Sequence, residues 1–184
     1  MKHLTLAVVL IALGIVSLDA QIKTVHFKKL QECLPSKDFK GFKREKPTGS
    51  TQTSMGMSTS EASVRYVSIP KDSMAEVQTE PTISLEAKIN DMVMMPYALM
   101  PFSMQQDFEN ETEDGYEKSV KVLGKYIGRE EARKGDSKSC HTTFGIANRF
   151  LVEVQASGTD DVKLLEQLLN GMDLAKLEKL ATPQ

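Results

Sequence analysis

Methionine is placed unusually in this chain. Ten occur among 184 residues, with Met92, Met94, Met95, Met100 and Met104 in one stretch and Met55 and Met57 on either side of a glycine. A thioether is a soft, neutral ligand that suits Cu(I). Met55, Met57, Met92, Met94 and Met95 are therefore one candidate metal set, although no cluster of His and Cys lies near them. The simpler use is packing, because an unbranched methionine fills irregular apolar sites. The same stretch holds Met95, Tyr97, Leu99, Met100 and Phe102. Exposed together, these side chains would make an apolar contact surface for a lipid or a protein partner. Turned inward they would form a lid over the chain's own sheet, and that burial is the preferred expectation.

Other reactive residue types are sparse. Of three histidines, His3 lies near the N-terminus, which leaves His26 and His141 for acid–base work near neutral pH. There is no His-Glu-x-x-His, no phosphate-cradling glycine loop with a lysine and no Gly-x-Ser-x-Gly elbow. Gly135-Asp136-Ser137, flanked by Lys134 and Lys138, reads as a tight turn. No catalytic residue, no cofactor and no enzymatic activity is expected. Cys33 and Cys140 form an even pair that an oxidising compartment could join, or two small buried hydrophobes. Asp107, Glu109, Glu111, Glu113 and Asp114 offer hard oxygen ligands for Ca²⁺, but a charge-dense turn explains them more simply. Asn110-Glu111-Thr112 spells a glycosylation sequon, relevant only to a eukaryotic secretory route.

The compartment is read from residues 1–20. Lys2 precedes an almost unbroken apolar run over residues 4–16, and Ser17-Leu18-Asp19-Ala20 ends on a small residue. This is the layout of a secretory signal peptide cleaved before Gln21. As a helix the run reaches only about 20 Å, short of a bilayer core. The expected product, residues 21–184, is a single soluble domain that is secreted or periplasmic, with no transmembrane segment after cleavage. The first residue after the cleavage site is Gln21, not the cysteine that a bacterial lipid anchor would need. The formal charge of −2 gives no basic excess for nucleic acid or an anionic membrane.

Periodicity sets the elements that must hold these residues. Ile22, Val25, Phe27, Leu30, Cys33 and Leu34 share a helical stripe that Pro35 ends. Residues 39–45 can form a short strand. Residues 47–60, rich in Ser and Thr without a core pattern, read as a flexible loop or frayed edge. Period-2 alternation then runs through residues 62–67, 83–90, 116–123, 125–133, 139–146 and 150–156, with Ile83, Leu85, Ala87 and Ile89 the cleanest set. Ala147-Asn148-Arg149 has the length of a hairpin turn. Thr159 or Asp160 can cap a helix carrying Leu164, Leu165, Leu168 and Leu169, stopped by Gly171, and Asp173 can cap a final one. The expectation is α+β: an antiparallel β-meander of about five to six strands, with an N-terminal helix and C-terminal helices packed on the sheet.

Gly115-Tyr116-Glu117-Lys118-Ser119, Val122-Leu123-Gly124-Lys125-Tyr126, the Asn148-Arg149-Phe150 turn with Leu151-Val152-Glu153-Val154, and Asp173-Leu174-Ala175-Lys176-Leu177 form a recurring pattern. Together with Ser54-Met55-Gly56-Met57-Ser58, they resemble uncharacterised exported bacterial proteins over roughly the C-terminal half. The element order is also similar to the Mog1/PsbP-like α/β sandwich, an analogy of fold alone. Neither resemblance implies catalytic residues. The function expected is that of an exported, non-enzymatic binding or structural accessory protein with an unknown protein or lipid partner. The alternatives are a methionine-based copper-binding or metal-handling periplasmic protein, then an enzyme of unknown type.

Overall fold

The computed structural model describes residues 23–69, 82–104 and 107–182. The signal-peptide reading of residues 1–20 and the start of the helical stripe at Ile22 lie outside them. The chain begins with a short helix α1 (Phe27–Gln31), then strands β1 (Phe42–Arg44), β2 (Thr48–Ser54), β3 (Met57–Ser68) and β4 (Ser84–Asp91). A 3-10 turn (Pro96–Leu99) and helix α2 (Met100–Ser103) follow. Strands β5 (Glu109–Thr112), β6 (Gly115–Val122), β7 (Tyr126–Arg133), β8 (Ser139–Ile146) and β9 (Phe150–Ser157) come next, and helices α3 (Lys163–Gly171) and α4 (Leu174–Ala181) close the chain.

All nine strands join one antiparallel sheet in the order β1-β3-β4-β9-β8-β7-β6-β5, with β2 pairing β3 beside β1. The chain therefore leaves the middle of the sheet after β4, crosses to the far edge at β5 and returns strand by strand until β9 lies against β4. The α+β expectation holds. β1 falls within the short strand expected over residues 39–45, and the strands that were not expected, β2 and β5, are polar edges.

Residues 47–60 show the largest difference. The stretch expected to be a loop is a β-hairpin turning at Met55 and Gly56, both with positive φ (51° and 78°). Hydroxyls hold it: Thr48 with Ser63 at 3.1 Å, Thr51 with Ser60 at 2.9 Å and Thr53 with Ser58 at 2.7 Å. β-branched threonines suit a strand without an apolar face.

Register places Tyr66, Leu85, Ala156, Cys140 and Ala132 in one row across the sheet, and Ala62, Ile89, Val152 and Phe144 in another. These face α1, α3 and α4, and all are buried, as are Leu165, Leu168, Leu174 and Leu177. The core predicted from alternation is recovered, with Ile83 and Leu164 at its half-buried margin. Gly115 opens β6 at φ +152°, where a Cβ would run into the Ala132 carbonyl oxygen. No other residue type fits that crossing without moving β7.

The helices differ from expectation at their ends. α1 is short because His26 caps it, its Nδ1 accepting from the Lys28 amide at 3.3 Å. Thr24 and Val25 are instead tied to Ser58 and Asp91. Asp161, rather than Thr159 or Asp160, accepts the first-turn amide of α3, from Lys163 at 3.1 Å. Asp173 caps α4 as expected, accepting from the Lys176 amide at 2.9 Å.

Cys33 and Cys140 are free and buried, so of the two readings the pair of buried hydrophobes holds and the disulfide does not. Cys33 follows α1, where its carbonyl accepts from the Asp173 amide at 3.0 Å. Cys140 lies within the sheet between Ala132 and Ala156. Burial pushes both thiols up, Cys33 to about 11 and Cys140 to about 12.

Candidate functional site

β4 ends at a buried carboxylate. Asp91 Oδ1 accepts from the Val93 amide at 3.1 Å and from Arg149 Nε at 3.1 Å. Its Oδ2 accepts from the Val25 amide at 2.7 Å and from Arg149 Nη2 at 2.9 Å. Arg149 also donates to the Lys23 carbonyl at 2.7 Å, and its own carbonyl accepts from the Met92 amide at 2.7 Å. The arginine is the last residue of the turn expected between β8 and β9, in which Ala147 and Asn148 both take positive φ (52° and 50°). This network fixes where residues 92–104 depart from the sheet.

From that anchor the chain turns through the Met95 amide on the Met92 carbonyl at 2.8 Å. Pro96 starts the 3-10 turn and Pro101 lies in the first turn of α2, where a missing N–H costs nothing. The segment crosses the sheet face opposite α3. Gly145, which points to that face between Phe144 and Ile146, makes room for it: a Cβ there would meet Phe102 Cβ at 3.2 Å and Leu99 Cδ2 at 3.7 Å. Leu99 is buried and Phe102 half-buried.

The other side of the segment is different. Tyr97, Met100 and Met104 are 67, 55 and 57% exposed. With Phe102, Phe108 and Ile127 they line a groove of about 450 Å³ between α2 and strands β6 and β7. At one end Arg129 stacks over the Phe108 ring at 5.1 Å and pairs with Glu117 at 3.0 Å. Phe108 is held by Ser119, whose Oγ accepts the Phe108 amide at 3.0 Å.

Of the five residues expected to make an apolar surface, the structure brings Tyr97, Met100 and Phe102 together and buries Leu99 beneath them. Met95 points elsewhere, into a depression of about 210 Å³ shared with Met92, Gln52 and Thr59. Met104, Phe108, Ile127 and Arg129 complete the groove and were missed, Phe108 because it stands inside the acidic run. Met55 and Met57 are exposed on the β2–β3 turn and Met94 is 37% exposed. Among the described residues no group of three or more His, Cys, Asp and Glu side chains is placed to hold a metal ion.

His141 lies on the same open face, its Nε2 2.9 Å from Thr143 Oγ1. The acidic run is an edge strand with a two-residue turn at Glu113 and Asp114, rather than a turn alone. Gly135-Asp136-Ser137 forms the connection between β7 and β8.

The fold and groove define an antiparallel α+β protein with α1, α3 and α4 on one sheet face and an apolar-lipped groove under α2 on the other. No family model, curated protein or solved structure matches the chain. No helix among the described residues is long and apolar enough to cross a membrane.

Proposed function

We propose that this chain is an exported binding protein without catalytic machinery, and that the groove under α2 takes apolar side chains of a protein partner. One observation carries the reading. Tyr97, Met100 and Met104 stand exposed side by side over the buried Leu99, and they converge on one depression instead of scattering. Single exposed apolar residues are ordinary, whereas a contiguous set at a concave site marks recognition. Methionines on its rim can repack around varied shapes. Export is supported by the leader pattern of residues 1–20 and by the resemblance to exported bacterial proteins.

Titration with 8-anilinonaphthalene-1-sulfonate, read by fluorescence and by amide shifts, tests the groove. The expected result is saturable binding that perturbs Tyr97, Phe102 and Phe108 and is lost in the Tyr97→Ser, Met100→Ser double variant with the sheet intact. Binding unaffected by that variant overturns the reading. Cu(I) competition titration tests the methionine alternative: tight uptake lost on replacing Met92 and Met95 would put metal handling in its place.

A further inference from the structure

The groove runs up to a sheet edge. Among the described residues β5 pairs only with β6, so its other side carries backbone groups without a strand partner. Which groups these are follows from the ladder. Phe108 bonds towards β6, its carbonyl accepting from the Ser119 amide at 2.9 Å. Antiparallel pairing alternates, so the N–H and C=O of Glu109 and Glu111 point outward.

The side chains alternate in step. Glu109 and Glu111 lie opposite Lys118 and Tyr116, on the helix-covered face. Phe108 lies beside Ser119 on the groove face. Lys118 is already paired with Glu130 at 3.4 Å, and none of Asp107, Glu109, Glu111, Glu113 or Asp114 forms an ion pair among the described residues.

From this geometry, and resting on the groove reading above, we propose that β5 is a strand-addition site for an extended basic–apolar segment of a partner protein. The partner's backbone bonds Glu109 and Glu111. Its basic side chains fall on their carboxylates, and its alternate apolar side chains fall towards Phe108 and Met104. Period-2 alternation is what an added strand must have to satisfy both faces at once. The acids keep the edge from pairing with a second copy of itself, since like charges directly opposite are unfavourable.

The probe is the heptapeptide acetyl-Lys-Val-Lys-Phe-Lys-Val-Lys-amide, with a counterpart in which every Lys is Glu. Hydrogen exchange of the full chain is measured with each. The basic peptide is expected to slow exchange at the Glu109 and Glu111 amides and to shift Phe108. The acidic peptide is expected to bind at least about tenfold more weakly, and the difference to shrink at high salt. Glu111→Pro removes an outward N–H without touching the β6 ladder, as an edge strand tolerates. It should abolish binding with β6 protection retained, and Glu109→Gln with Glu111→Gln should weaken binding several-fold. Peptide binding that shifts Phe108 but leaves Glu109 and Glu111 unprotected overturns strand addition and keeps the groove. Failure of both the peptide and the naphthalene probe to perturb Tyr97 and Phe108 overturns both.

Discussion

Arg149 grips Asp91 with two nitrogens, Nε at 3.1 Å from one carboxylate oxygen and Nη2 at 2.9 Å from the other. The side chains are 10 and 0% exposed. Each oxygen also receives a backbone amide, and no buried side-chain polar atom among the described residues is left unpartnered. Truncating one member of such a pair strands the other charge away from water and costs about 3–5 kcal/mol. Arg149→Met and Asp91→Ala should each lower stability by that order in urea denaturation. The double variant should lose less than the two effects added, because neither charge is then left alone. Additive losses would show that the two residues act independently.

Helix α3 is held by Leu165 and Leu168, both buried against β4 and β9. Leu165→Ala should cost about 2–5 kcal/mol, the lost transfer energy plus that of the cavity left behind. A loss below about 1 kcal/mol in the same denaturation experiment would place α3 off the core.

The buried cysteines give an alkaline limit. Their folded pKa values, about 11 for Cys33 and about 12 for Cys140, lie above the ordinary value of 9.0. Above that ordinary value the unfolded chain releases protons that the folded chain keeps. Stability is therefore intact below about pH 9 and falls as pH rises towards 11 and 12. Replacing both by Ala should flatten this loss in denaturation curves taken between pH 8 and 11. In the native state both thiols should resist 5,5′-dithiobis(2-nitrobenzoate) at pH 8 and react on unfolding. Fast native reaction of either would contradict its burial.

Legibility in the sequence tracked burial. β4 was plain because Leu85, Ala87 and Ile89 alternate with polar residues on a one-sided sheet. β2 was hidden because Thr48–Ser54 has no apolar face and is paired through hydroxyls, a contact without a periodic signal. Asp91 stands just past the alternation of residues 83–90, and nothing local tells that Arg149, 58 positions away, will meet it. The groove was half visible. Tyr97, Met100 and Phe102 belong to one apolar stretch, but Phe108 and Ile127 reach them only because the chain crosses to the far edge before returning. Phe108, Asn110 and Thr112 alternating with Glu109 and Glu111 was the available sign of β5, masked by the density of charge.

Gly145 should control the lid. Its missing side chain is the space occupied by Phe102 and Leu99, with Phe102 Cβ only 3.2 Å from where a Cβ would lie. Valine suits the β8 backbone, so Gly145→Val should leave the sheet paired and press on the segment above it. Overpacking of this kind costs about 1–3 kcal/mol. The 3-10 turn and α2 are elements of four residues each, so they should absorb that cost by opening locally. The expected outcome is exchange of the Ala98 and Met104 amides faster by about ten- to a hundredfold, with β8 and β9 protection unchanged. The naphthalene probe should bind more weakly, because Tyr97 and Met100 no longer sit over a fixed floor. A uniform fall in protection across the sheet, with no excess at residues 96–104, would show that the segment is part of the cooperative core rather than a lid resting on it.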